Sequence, residues 1–140
     1  MANTTLKFMH YIVPKVNAQI NTNFDFKQTQ NVTLQPKFRR DIIKINENEF
    51  NNQLTITIES EEGKVIPFNI EVSIRGAFLL DNWQDEDNKD LVNLTSTATL
   101  FPYLRAIVSQ VSTMLNMPPY ILPLLNISEL FKEENVKKAE

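Results

Sequence analysis

From Ala106 to Ser128 the chain runs for 23 residues without a charged side chain, in a protein whose residues are 22% charged. Such a stretch must either cross a membrane or be covered by protein on more than one side. Gln110, Asn116, Pro118, Pro119 and Pro123 leave no window of about 20 apolar residues that could span a bilayer, so no direct membrane insertion is expected. Its first part belongs to a helix over about residues 98–116. There Leu100, Leu104, Ile107, Val108, Val111, Met114 and Leu115 fall at the offsets of one apolar face. Thr97 or Thr99 is the expected cap, with Pro102 in the first turn. The other face presents Ser109, Gln110, Ser112, Thr113 and Asn116, groups small or neutral enough for close contact. In a chain of 140 residues the surface that covers them is expected to be a second copy, which makes the protein a homo-oligomer built through this helix. The alternative is a helix sandwiched within one chain.

The strands lie upstream. Leu54, Ile56 and Ile58 alternate with Thr55, Thr57 and Glu59, and Phe68, Ile70, Val72 and Ile74 alternate with Asn69, Glu71, Ser73 and Arg75, so both strands should have one buried and one wet face. Gly63 between them marks a hairpin turn and pairs them antiparallel. Phe38–Ile45 is a further strand. Leu6–Ile20 is rich in β-branched and aromatic residues but contains Pro14, which assigns it to a bent edge strand. Residues 21–36, rich in Asn, Gln and Thr, form a long connection or weak strand. The segment 81–90 gathers five acids around Trp83 and reads as a solvated acidic loop. Asn126-Ile-Ser-Glu129 is a capping box that opens a last helix over about 126–136, beyond which the polar tail is expected to fray. Strands first and helices last point to one α+β domain over 1–140, with helices on one face of an antiparallel sheet.

Composition removes whole classes of function. Two glycines exclude phosphate-cradling loops, and the absence of cysteine excludes thiolate chemistry and disulfides. His10 is the only histidine and sits beside Phe8 and Tyr11 in an apparent strand, as a structural histidine does. No enzyme, cofactor or metal site is read; the acidic loop lacks the register and distal Glu of a calcium loop. Residues 1–40 carry six basic groups against Asp25, but they are dispersed, and no nucleic-acid partner is inferred. The sequence MANTTLKFMHYIV has no basic segment leading into an apolar run of signal length, so a cytoplasmic location is expected.

Four motifs in order carry a resemblance. Leu100-Phe-Pro-Tyr-Leu-Arg105 is similar to the LFPYAR signature of the SecB family of export chaperones, and Asn126-Ile-Ser-Glu-Leu-Phe131 to its NFDALF segment. Ile70-Glu71-Val72 followed by Arg75-Gly76-Ala77-Phe78 resembles its CEV…GGIF strand, and Gln35-Pro36 the end of its WQP crossover loop. The resemblance implies a four-stranded antiparallel sheet with two C-terminal helices, assembled as a dimer of dimers, a homotetramer with its long helices packed between the sheets. It also implies an ATP-independent holdase that binds unfolded or precursor polypeptides and passes them to SecA. On this reading residues 21–36 are the crossover loop and 119–125 a flap. The client groove takes Leu34, Phe78 and Trp83 from the sheet side. From the flap it takes Tyr120, Ile121, Leu122, Leu124 and Leu125, and from the last helix Leu130 and Phe131. The oligomer interface takes Phe101, Tyr103, Arg105, Ser109 and Ser112 from the long helix with Val72 and Ile74 from the sheet.

The departures from the family pattern concern charge. Glu71 matches one of the acids through which members dock SecA, but no acid precedes Asp25 in the first strand. Arg75 replaces the first glycine of the GG pair on the same face as Glu71, Ala106 replaces a glutamate, and the tail is KEENVKKAE rather than acidic. The alternative function is a dedicated chaperone or interaction protein for a narrow partner, such as an antitoxin or a mobile-element protein.

Overall fold

A computed structural model describes residues 5–26, 34–60, 65–118, 120–122 and 137–139. Strands β1 (Lys7–Ile20), β2 (Lys37–Asn46), β3 (Glu49–Ile58) and β4 (Phe68–Leu79) form an antiparallel sheet in the order β1-β4-β3-β2. Helix α1 (Ser96–Met114) lies against one face of it. The alternation of β3 and β4 explains this arrangement. Register pairs Leu54 with Ile74, Ile56 with Val72 and Ile58 with Ile70, so the even-numbered residues share the face that meets the helix. All six of these side chains are buried, with Phe50, Phe68 and Phe78 among them.

The opposite face is polar, as the alternation predicts, but it is not uniformly wet. Thr55 and Ser73 face each other across the β3–β4 pair with their hydroxyls 2.8 Å apart, and both are buried. Each satisfies the other.

β1 is an edge strand, and its register against β4 shifts between Ile12 and Lys15, where Pro14 sits. Proline cannot donate to a ladder, so the bulge falls where the sequence requires it. Gly76 of β4 is the close approach of sheet and helix: a Cβ added there would lie 2.5 Å from Leu100 Cδ2. That explains the glycine without any special backbone angle.

The helix begins earlier than its apolar spacing predicts. A single π-helical stretch, Leu91–Thr95, runs directly into Ser96, and the N-terminal residue Thr95 makes no side-chain cap. Thr97 is not a cap; it is buried inside the helix, because Asn52 of β3 donates from Nδ2 to Ser96 Oγ at 2.7 Å and to Thr97 Oγ1 at 3.0 Å. Arg40 of β2 adds a bond from Nη1 to the Asn93 carbonyl at 2.8 Å. These bonds fasten the start of α1 to the sheet, while the π-helical turn before it supplies the acceptors that a cap would otherwise provide, the Leu91 carbonyl taking the Ser96 amide. Pro102 consequently sits mid-helix, and the Ala98 carbonyl it leaves without an amide partner lies at an exposed residue, open to water.

At its other end α1 closes through Asn116 at φ 62°. The Met117 amide bonds the Ser112 carbonyl at 3.2 Å and the Asn116 amide bonds the Thr113 carbonyl at 2.9 Å, the paired pattern of a left-handed helix stop. Replacing Asn116 by Val should therefore cost about 1–2 kcal/mol, whereas Asn116→Gly should be neutral or slightly stabilising. Paired thermal denaturation of the two variants checks the sign.

The tail does not simply fray: β5 (Lys137–Ala139) pairs parallel with Asp41–Ile43 on the outer edge of β2, making the sheet five-stranded. An open strand edge offers unpaired amides and carbonyls to any chain segment that reaches it. The hairpin turn at Gly63 and the last helix at 126–136 lie outside the described residues.

Candidate polypeptide-binding and assembly surface

The surface is built where β1 meets α1. Tyr11 and Val16 lie opposite Gly76 and Val72 and therefore on the helix side of the sheet, at its edge, where no further strand covers them. Tyr11 packs at a tilt on Tyr103 of α1 with ring centroids 4.8 Å apart, and Phe8 approaches the same ring at 5.9 Å. From Tyr103, which is 40% exposed, the strip continues along α1. Pro102, Ala106, Gln110 and Thr113 recur at helical spacing and are all exposed. Val13 and Val16 extend it along β1, exposed by 39% and 52%. This is a continuous band of apolar and neutral side chains with no charge on its helical part. It is far from the dispersed apolar exposure of an ordinary surface.

The structure divides the residues expected at the interface. Tyr103 belongs to the band. Arg105 and Ser109 are half-buried, and Arg105 Nε donates to the Leu122 carbonyl at 3.1 Å. Val72 and Ile74 must be corrected: both are fully buried within the protomer, on the inner face of β4, so they support the interface without reaching it. Phe101 is likewise buried, beside Phe38 at 5.9 Å. Ser112, expected to face outward, is fully buried; its Oγ donates to the Ser109 carbonyl and accepts the Tyr120 amide at 2.8 Å.

That last bond ties the flap down. Residues Tyr120–Leu122 fold back on α1 through Ser112 and Arg105, with Leu122 fully buried and Ile121 67% exposed. Burial pushes the Tyr120 phenol above its usual pKa. Ser112→Ala leaves the Tyr120 amide without its acceptor. The expected cost is about 1–2 kcal/mol, with proteolysis near residue 120 accelerating while the far-ultraviolet spectrum stays unchanged.

The expected groove is only partly assembled. Leu34 and Tyr120 are half-buried against the core and Ile121 is open. Phe78 is a correction: it is fully buried, stacked on Phe50 at 5.4 Å, and no client can reach it in this conformation. Trp83 is buried too, anchoring the acidic loop through Nε1 to the Asn46 carbonyl at 2.7 Å. Alternation reveals that a face is apolar, not that a helix already covers it. Leu124, Leu125, Leu130 and Phe131 lie outside the described residues. The Asn52–Ser96–Thr97 joint escaped sequence reasoning, which read the strand alternation only from Leu54 onward. Its even position in the β3 alternation was the available signal.

On the outer face, Glu71 is ion-paired with Lys15 at 3.1 Å, and Arg75 Nε donates to Gln53 Oε1 at 2.8 Å. The acid singled out from the sequence is thus matched by a cation one strand away. No group of three or more metal-ligating side chains occurs among the described residues. No helix among them is long and apolar enough to cross a membrane.

An antiparallel sheet with one long helix on its inner face, leaving a neutral strip at the strand–helix seam, defines an α+β fold. The chain belongs to the SecB family: residues 16–138 match the family described as preprotein translocase subunit SecB. It is 31% identical to an uncharacterised protein of Methanocaldococcus jannaschii over 96% of this chain and 92% of that protein. It is 27% identical to the protein-export protein SecB of Alkalilimnicola ehrlichii over 83% of this chain, a match spanning 60% of that protein's length. Among solved structures it resembles a Mycobacterium tuberculosis SecB-like chaperone in complex with a ChAD peptide from the HigA1 antitoxin. The TM-score is 0.70 at 15% identity, covering 86% of this chain and 91% of that one. The likeness in fold includes the four-stranded antiparallel sheet expected from the sequence.

Proposed function

We propose that this chain is an ATP-independent holdase that binds non-native polypeptides and works as an oligomer of identical subunits. The observation that carries the reading is the uncharged strip on α1 continuing through Tyr103 into β1, in a chain of the SecB family. A surface of that kind is stable in water only when another chain covers it, whether a second copy or an unfolded client. The assembly that the SecB resemblance implies is a dimer of dimers, with α1 between sheets and no catalytic step. Client contact falls to Leu34, Tyr120 and Ile121, joined by Leu124, Leu125, Leu130 and Phe131.

A second reading is favoured by a separate observation. Lys15 neutralises Glu71 and Arg75 occupies the same outer face, so that face offers little net negative charge for SecA. A narrow partner then replaces general export, in keeping with the antitoxin peptide held by the mycobacterial chaperone. The experiment is refolding of several unrelated denatured proteins at near-stoichiometric amounts of this chain. A general holdase delays all of them, and a dedicated chaperone delays none while still binding its own partner. The absence of both delay and partner would refute chaperone activity.

A further inference from the structure

The outer face of the sheet is polar over only part of its length. Toward the end of β4 and the start of β3, three cross-strand rows carry apolar side chains as well. Register sets them as Lys7–Leu79–Glu49, His10–Ala77–Asn51–Ile43 and Ile12–Arg75–Gln53–Asp41. Both bulges at this end enlarge the apolar surface. The pairing of β1 with β4 skips Met9, and that of β2 with β3 skips Ile45. Phe8 and Lys44, one residue earlier, pair with Phe78 and Phe50 of the inner face, so Met9 and Ile45 turn outward. Met9 is 47% exposed, Ile12 51% and Ile45 48%, with Ile43 and Leu79 half-buried in the same rows. The open face of an antiparallel sheet is ordinarily polar; three large apolar side chains at one end of it mark a contact surface.

On the β1 side of this patch the unpaired charge has one sign. Arg75 Nε donates to the neutral Gln53 Oε1 at 2.8 Å, and neither Arg75 nor Lys7 belongs to an ion pair among the described residues. Asp41, the acid of the third row, is held by Arg39 at 3.1 Å. Glu49 lies on β3, two strands away from Lys7. The other end of the outer face is different: Lys15 closes on Glu71, and the exposed neighbours are the amides Asn17 and Gln19. Four strands about 4.8 Å apart make the patch about 14 Å wide, room for a single helix with its side chains.

We propose that this end of the outer face docks an amphipathic helix of a partner protein, one that carries carboxylates beside its apolar stripe. The stripe covers Met9, Ile12, Ile43 and Ile45, and the carboxylates reach Lys7 and Arg75 over β1 and β4. A helix fits better than a strand because the backbone groups of a sheet face are already paired within the sheet, and helices are what cover such faces. The patch is on the far side of the sheet from α1 and the uncharged strip, so it is independent of the client surface proposed above. It is also opposite in sign to docking through Glu71, which calls for a basic partner.

The test uses the full chain and two fluorescently labelled helical peptides, each built on alanine with one leucine stripe, one flanked by glutamates and the other by lysines. Binding is followed by anisotropy. Lys7→Glu/Arg75→Glu should weaken the glutamate peptide about tenfold and leave the lysine peptide unchanged or tighter. The wild-type affinity for the glutamate peptide should fall as salt is added. Ile12→Glu should weaken the glutamate peptide at least as much. Ile12→Thr, which keeps a β-branched side chain in the strand, should weaken it less, with circular dichroism unchanged in every variant. The methyl resonance of Met9 should shift when the glutamate peptide is added to the wild type. Failure of the wild type to bind the glutamate peptide, or equal binding by the wild type and the charge-reversed and Ile12→Glu variants, would overturn the proposal and leave the chaperone reading untouched. Refolding of denatured proteins should be delayed equally by the wild type and the variants; loss of that delay together with peptide binding would make the patch part of the client surface and overturn the separate site.

Discussion

Gly76→Ala is expected to lower the melting temperature sharply, and to cost much less when Leu100 is already Ala. The new methyl would sit 2.5 Å from Leu100 Cδ2 and 3.0 Å from Phe78 Cε2, and both neighbours are fully buried in a close-packed core. Relief requires the Leu100 side chain to shift against its neighbours or α1 to lift from β4. Overpacking of this kind costs about 1–3 kcal/mol, a shift of several degrees for a domain of this size. Leu100→Ala alone also destabilises, by about 2–5 kcal/mol for the cavity it leaves. The informative quantity is the coupling: the double variant should be more stable than the sum of the single effects predicts, measured by urea denaturation as a double-mutant cycle. Simple additivity would mean that Gly76 is present for a reason other than helix contact.

Tyr103→Asp is expected to break the assembly while leaving the protomer folded. Within one chain the Tyr103 ring is 40% exposed and touches Tyr11 and Phe8, so its loss costs the protomer about 1 kcal/mol of aromatic packing. In an assembly that covers the strip, the same substitution leaves a carboxylate buried without a partner. That penalty is about 3–5 kcal/mol, a weakening of association by more than a hundredfold. Tyr103→Phe keeps the ring and should assemble. Solution mass and circular dichroism on both variants separate loss of assembly from loss of fold. An Asp variant of unchanged mass would place the interface elsewhere.

Much of this architecture is visible before any coordinates. The alternation at 54–58 and 68–74 identifies β3, β4 and their shared inner face, because strand periodicity is a local property of the chain. Pro14 marks the edge strand for the same reason, and the Leu100–Val111 spacing marks α1. What the sequence conceals is which side chains a neighbour covers. Phe78 and Leu122 look like groove residues until Phe78 is seen stacked on Phe50 in the core and Leu122 fully buried within the protomer, and Ser112 looks like a close-approach surface until it is found holding the Tyr120 amide. The helix start was misplaced because a π-helical turn over Leu91–Thr95 runs straight into it and supplies the carbonyls that a local cap would provide, while Asn52, 44 residues away from Ser96, ties it to the sheet. The pairing of β5 with β2 joins residues nearly 100 positions apart, and a polar tail carries no periodic signal that would announce it.

Charge is where composition and structure together say most. A basic first third and an acidic remainder could have meant a nucleic-acid surface. Instead the cations are distributed along the strands, Lys15 onto Glu71, Arg39 onto Asp41, and Arg40 beneath the entry to α1. The outer sheet face is left close to neutral, and the uncharged strip lies on the other side at the seam of β1 and α1.

The central claim is that this strip is covered by copies of the chain and that the assembly receives unfolded polypeptide. Light scattering on the purified protein, alone and with an unfolded client present, tests it most directly. The account predicts a mass of about four times 16.2 kDa that rises when client is added. A 16.2 kDa monomer whose mass is indifferent to client would contradict it.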